Sequence, residues 1–91
     1  MRIAIEIYAS LREKLGWQYR VVELDGLEAK LVDVLRSVPE LYSVVVNELE
    51  RGIARGFIVL INGMHAEFCG GLEARVRDGD TVSIFPPAAG G

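Results

Sequence analysis

Residues 27–38 read Leu27-Glu28-Ala29-Lys30-Leu31-Val32-Asp33-Val34-Leu35-Arg36-Ser37-Val38, and Leu27, Leu31, Val34, Leu35 and Val38 recur at helical spacing. That spacing lays one apolar stripe along a helix and leaves Glu28, Lys30, Asp33 and Arg36 off it. Such a stripe has to be buried against another element, and the segments on either side offer strands. Pro39 ends or kinks the helix, because a proline ring inside a helix clashes with the preceding turn and brings no N–H. A second helical pattern, Leu41, Val44, Val45 and Leu49, carries on to about Arg51.

On the N-terminal side, residues 2–8 set Ile3, Ile5 and Ile7 against Ala4, Glu6 and Tyr8, the period of a half-buried strand. Ser10 stands three residues before Glu13, a capping-box spacing, and Leu11 and Leu15 complete one short helical turn that Gly16 stops. Residues 18–24 are β-branched and aromatic and end at Asp25-Gly26, which predicts a second strand. On the C-terminal side, residues 57–61 form a near-continuous apolar strand, closed by Asn62-Gly63 as a tight hairpin with residues 64–68 returning. Asp78-Gly79-Asp80 makes a further turn, and residues 81–85 alternate Val82 and Ile84 against Ser83.

Strand, strand, helix, then three strands argues an α+β fold: a mixed sheet of about five strands packed on one main helix. Because residues 57–61 are apolar on both faces, the face turned from the helix is expected to carry Phe57 and Val59 toward solvent or a partner. The alternative is that the segment after Pro39 covers that face.

A chain of 91 residues, 51% hydrophobic, fits one domain, expected over residues 1–85 with a tail of residues 86–91. A net charge of -3 speaks against nucleic acid as a main partner. The N-terminus enters the alternating pattern without an apolar leader, and residues 57–61 are too short a run to cross a bilayer, so a soluble, cytoplasmic protein without a membrane partner is expected. Cys69 stands alone and has only His65 nearby, which excludes an internal disulfide and a structural zinc site; no metal site is expected. Cys69 is expected to be an inert structural thiol, and His65 an ordinary hairpin or surface residue.

The tail is where chemistry concentrates. Pro86 and Pro87 cannot extend a sheet ladder and favour a stiff exit. Residues 86–91 reach roughly 20 Å when extended, enough to enter another protein's active site. Ala88, Ala89, Gly90 and Gly91 carry no bulk that would block a narrow channel. A carboxylate on Gly91 is a poor electrophile and has to be activated; the expected route is ATP and magnesium on a separate enzyme that forms a mixed anhydride, from which sulfur or a thiol displaces AMP. Two adjacent glycines arise by chance at roughly 1% of positions, so the pair gains weight only from the strand, prolines and alanines before it.

Ala9-Ser10-Leu11-Arg12-Glu13 with Gly16, Ile61-Asn62-Gly63, Asp78-Gly79-Asp80 and Phe85-Pro86-Pro87-Ala88-Ala89-Gly90-Gly91 together resemble the small subunit of molybdopterin synthase and, more broadly, the ubiquitin-like β-grasp sulfur carriers. The resemblance implies a β-grasp fold and adenylation of Gly91 by a ubiquitin-activating-enzyme-like adenylyltransferase. A sulfur donor protein would then supply a thiocarboxylate, which gives up its sulfur to a pterin precursor inside the large synthase subunit, for molybdenum or tungsten cofactor. It implies a non-catalytic carrier that binds no cofactor permanently, with Phe57, Val59 and Phe85 docking on partners and Pro86, Pro87, Ala88 and Ala89 threading the channel. The same activated carboxyl would serve a ubiquitin-like modifier joined through Gly91 to lysines, or sulfur supply for tRNA or thiamine. A plain interaction domain is the reading from a different class.

Overall fold

The computed structural model describes residues 1–88. The first strand, β1 (Arg2–Ile7), buries Ile3, Ile5 and Ile7 and turns Ala4 and Glu6 to the other face. A short helix, α1 (Ser10–Leu15), follows and ends at Gly16. The capping box expected of Ser10 and Glu13 is not formed. Ser10 is already helical, Ala9 precedes it at φ 54, and no side chain caps the first turn. Strand β2 (Tyr19–Glu23) returns antiparallel to β1, with Val22 on the core side.

The main helix begins later than its stripe predicts. Residues Glu28–Lys30 form a strand, β3, and two helices follow, α2 (Leu31–Arg36) and α3 (Pro39–Val45). Leu31, Val34, Leu35 and Val38 keep the stripe and are buried, whereas Leu27 is 90% exposed. The backbone explains the loss. Residues 28–30 pair antiparallel with residues 75–77, and the Leu31 N–H donates to the Ala74 carbonyl at 2.8 Å, so this stretch is extended before the helix starts. Pro39 opens α3 at a position where a missing N–H leaves no intrahelical bond unmade. The second helix stops at Val45, short of Arg51, because the β-branched run continues as a small ladder of β4 (Val46–Asn47) with β5 (Gly52–Ile53).

Strand β6 (Ile58–Ile61) turns through Asn62 and Gly63, at φ 50 and 83, into β7 (Met64–His65). Positive φ at both turn positions is what an Asn-Gly hairpin supplies at low cost. The returning strand is only two residues long: Ala66–Cys69 winds into a 3-10 turn that buries Ala66 and leaves Phe68 and Cys69 exposed. The buried structural role expected of Cys69 is therefore corrected. Strand β8 (Arg75–Arg77), which the sequence pattern did not reveal, buries only Val76, and β9 (Thr81–Phe85) buries Val82 and Ile84.

The five-stranded sheet runs β2-β1-β9-β6-β7, with β1 and β9 parallel and the other neighbouring pairs antiparallel. Ile3, Ile5, Ile7, Val22, Val59, Ile61, Val82 and Ile84 share one core with Leu31, Val34, Leu35, Val38, Leu41 and Val45. Both α2 and α3 thus pack on the same sheet face. This is the α+β, β-grasp arrangement, with its helical layer broken at Pro39, and α3 does not serve to cover the opposite face.

Candidate functional site

The site is built on β9, the middle strand of the sheet. Phe85, its last residue, pairs with Ile58 of β6. Pro86 and Pro87 come next and have no N–H with which to continue the ladder. Pro86 is half-buried and Pro87 exposed, yet Pro87 rests against Gly56, close enough that a Cβ on Gly56 would stand 2.8 Å from the proline Cγ. Ala88 is exposed, and Ala89, Gly90 and Gly91 lie outside the described residues. Phe57 is half-buried against the core and, with Leu11, Lys14, Val44 and the two prolines, lines a groove of about 360 Å³ beside the exit.

The face of the sheet away from the helices carries side chains at alternate positions: Glu6, Ser83, Phe85, Ile58 and Leu60. Here one expectation is overturned. Val59 is 2% exposed and belongs to the core, opposite Ile84, while its neighbour Ile58 faces outward at 43% exposure. Phe57 precedes β6 and does not lie on this face. Of the residues expected to dock, Phe85 alone is on the open face, beside Ile58 and Leu60.

Tyr8 organises the rim of that face. Its ring stacks on Phe85, the Arg12 guanidinium lies 4.9 Å from its centroid, and Arg12 Nε donates to the Ile7 carbonyl at 2.8 Å. The Tyr8 hydroxyl donates to the Glu6 carboxylate, which holds the phenol above its usual pKa, with partial burial adding to the effect. The alternation of residues 2–8 already put Tyr8 opposite the isoleucines, but nothing in the sequence paired it with Phe85. For Ile58 and Leu60 the signal was ambiguous, since an all-apolar run does not reveal which parity faces the core.

A larger concavity, about 1030 Å³, lies on the helix side between α2, β5 and the Gly70-Gly71 turn. Four of its charges pair with each other, Lys30 with Glu73 at 3.0 Å and Arg36 with Asp33 at 3.3 Å, and neither Pro86 nor Pro87 lines it. Size therefore does not mark the site. Among the described residues no three His, Cys, Asp or Glu side chains gather to hold a metal ion. His65 is exposed and tilted against Phe68. Among the described residues no helix is long and apolar enough to cross a membrane. What the arrangement does is lead the backbone out of the sheet beside an apolar patch of Phe85, Ile58 and Leu60.

The ThiS family model matches residues 5–91. The chain belongs to the ThiS family. Among relatives of this ThiS-family chain, small archaeal modifier protein 3 of Haloferax volcanii is 34% identical over 93 residues, covering 100% of both chains. The crystal structure of SAMP1 from Haloferax volcanii superposes with a TM-score of 0.80 at 28% identity, again covering 100% of both chains. A crystal structure of the Amycolatopsis orientalis BexX/CysO complex contains a chain that matches with a TM-score of 0.75 at 31% identity, covering 98% of this chain and 99% of that one. ThiS-family membership thus joins the chain to ubiquitin-like sulfur carriers and small modifiers, and in the Amycolatopsis orientalis structure CysO is seen in complex with BexX.

Proposed function

We propose that this chain is a sulfur carrier whose terminal Gly91 is adenylated and then converted to a thiocarboxylate. An adenylyltransferase of the ubiquitin-activating type uses ATP and magnesium to join AMP to the carboxylate, releasing pyrophosphate, and sulfide-level sulfur (HS⁻) delivered by a donor protein attacks the acyl carbon and expels AMP, leaving the thiocarboxylate. The observation that carries this reading is the exit from β9. The middle strand ends at Phe85 in an apolar patch with Ile58 and Leu60 on the open face, and Pro86 and Pro87 take the backbone out of the ladder. A carrier needs a docking face with an arm beside it, and its catalytic groups belong to its partners. The family match and a full-length relative named as a sulfur carrier support this reading.

For the acceptor, the resemblance of residues 85–91 favours a pterin precursor held by the large subunit of molybdopterin synthase. A second reading has its own support: the 34% identical relative over the whole chain bears the name of a modifier protein. In that reading the activated Gly91 joins lysines of other proteins. The two share every step up to the acyl adenylate and part at the nucleophile.

Intact-protein mass after incubation with ATP, the activating enzyme and a sulfur donor tests both. Exchange of one oxygen for sulfur in the C-terminal peptide is the expected outcome, whereas an adduct to a lysine of another protein favours the modifier. Removing Gly90 and Gly91 should change stability by less than about 0.5 kcal/mol, since two glycines bring no side chain to bury, and abolish transfer. Sulfur transfer that survives the deletion sinks the proposal.

A further inference from the structure

Gly56 lies in the connection before β6 at φ +86, and a Cβ built on it would stand 2.8 Å from Pro87 Cγ and 2.9 Å from Pro87 Cβ. Side chains do not pack that closely, so position 56 is a notch that the proline ring fills. The register explains how the two meet. Ile58 pairs with Phe85 in antiparallel strands, so the chain entering β6 and the chain leaving β9 run side by side for two more residues. Hydrogen bonding stops there because the prolines lack donors, and ring-on-notch contact takes over. Leu11, Val44 and Phe57 flank the prolines from the groove side.

We propose that Gly56 is a positioning residue: by seating Pro87 it fixes the direction in which the tail leaves the domain. The inference rests on the carrier reading and deepens it. Two prolines stiffen an arm, but a stiff arm still pivots if it is held only at Phe85. Phe85 in the sheet and Pro87 in the notch are two points, and two points define a line. An arm already aimed loses less freedom when it enters a partner's channel. Because that saving applies equally to the bound ground state and the transition state, its loss raises KM and spares kcat.

A matched control comes from the same chain. Gly79 has φ +87 and nothing within 4 Å of where a Cβ would stand, so Gly79→Ala carries the same left-handed backbone penalty without the collision. Both variants are compared with wild type in ATP-dependent adenylation by the activating enzyme, and by NMR through Gly56 Hα to Pro87 ring cross-peaks and the residual dipolar coupling of the Ala88 N–H. Wild type and Gly79→Ala are expected to keep both NMR signatures. Gly56→Ala should lose them and raise KM about tenfold while kcat stays within about twofold.

Pro87→Gly, which empties the notch at an exposed position, should reproduce that KM, and the double variant should be no worse than either single. A Gly56→Ala protein with wild-type KM and couplings overturns the proposal. So does equal impairment in Gly79→Ala, or additive losses in the double variant. If wild type forms no adenylate, the carrier reading fails, and the cross-peaks and coupling decide the notch alone, their absence from wild type overturning it.

Discussion

The ring of Tyr8 lies on the ring of Phe85, centroids 4.3 Å apart and planes 6° from parallel. Tyr8 follows the first strand and Phe85 closes β9, so the stack clamps the parallel β1–β9 pair directly before Pro86. A double-mutant cycle with Tyr8→Leu and Phe85→Leu, followed by urea unfolding, should return a coupling of about 1 kcal/mol, the usual worth of such a pair beyond its buried area. A coupling below about 0.3 kcal/mol would show that the rings touch without stabilising each other.

The Glu6 carboxylate accepts a hydrogen bond from the Tyr8 phenol, and ionising the phenol would set two negative charges side by side. The folded state therefore holds this proton more tightly than the unfolded chain does. Stability from the pair is present in full below about pH 10, the unfolded phenol value, and is lost as pH rises through the higher folded value. Absorbance titration of wild type minus Tyr8→Phe isolates the group. It should ionise above an ordinary phenol and move down in Glu6→Gln; ionisation at or below the ordinary value in wild type would refute the assignment.

Ile58 and Val59 are neighbours with opposite duties. Val59→Ala should cost about 2 kcal/mol in thermal or chemical unfolding because it opens a hole in the core. Ile58→Lys should cost under about 1 kcal/mol and weaken binding to the activating enzyme, measured calorimetrically. Unchanged binding by Ile58→Lys would exclude the open face as the docking surface.

Leu27 and Leu31 make a similar pair at the entrance to α2. Leu27→Ser is expected to leave stability within about 0.5 kcal/mol, while Leu31→Ala should lose about 2–5 kcal/mol. Comparable losses at both positions would mean that the helix begins where its stripe predicts, and that residues 28–30 are not extended in solution.

Periodicity was legible wherever one face is buried and the other wet. Ile3, Ile5 and Ile7, Val82 and Ile84, and the stripe from Leu31 to Val38 all sit where their spacing puts them. It failed where a partner distant in sequence decides. Arg75-Val76-Arg77 holds a single apolar residue, too little to announce a strand, yet its pairing with residues 28–30 draws Leu27 off the helix. Residues 57–61 are all apolar and carry no parity of their own, so the expectation placed Val59 outward where Ile58 in fact stands. At the tail, composition pointed to Pro86 and Pro87, but Gly56 acquires meaning only from the register that brings it beside Pro87.

β9 is the last strand among the described residues and the middle one of the sheet. Without it, β1 with β2 and β6 with β7 are two separate hairpins, and hairpins alone are marginal in water. A chain emerging from the ribosome therefore cannot close its sheet until residues 81–85 have been made, with Pro86 and Pro87 next in line. A prematurely terminated product lacking this strand would leave the two halves of the sheet unjoined, an open chain fit for proteolysis.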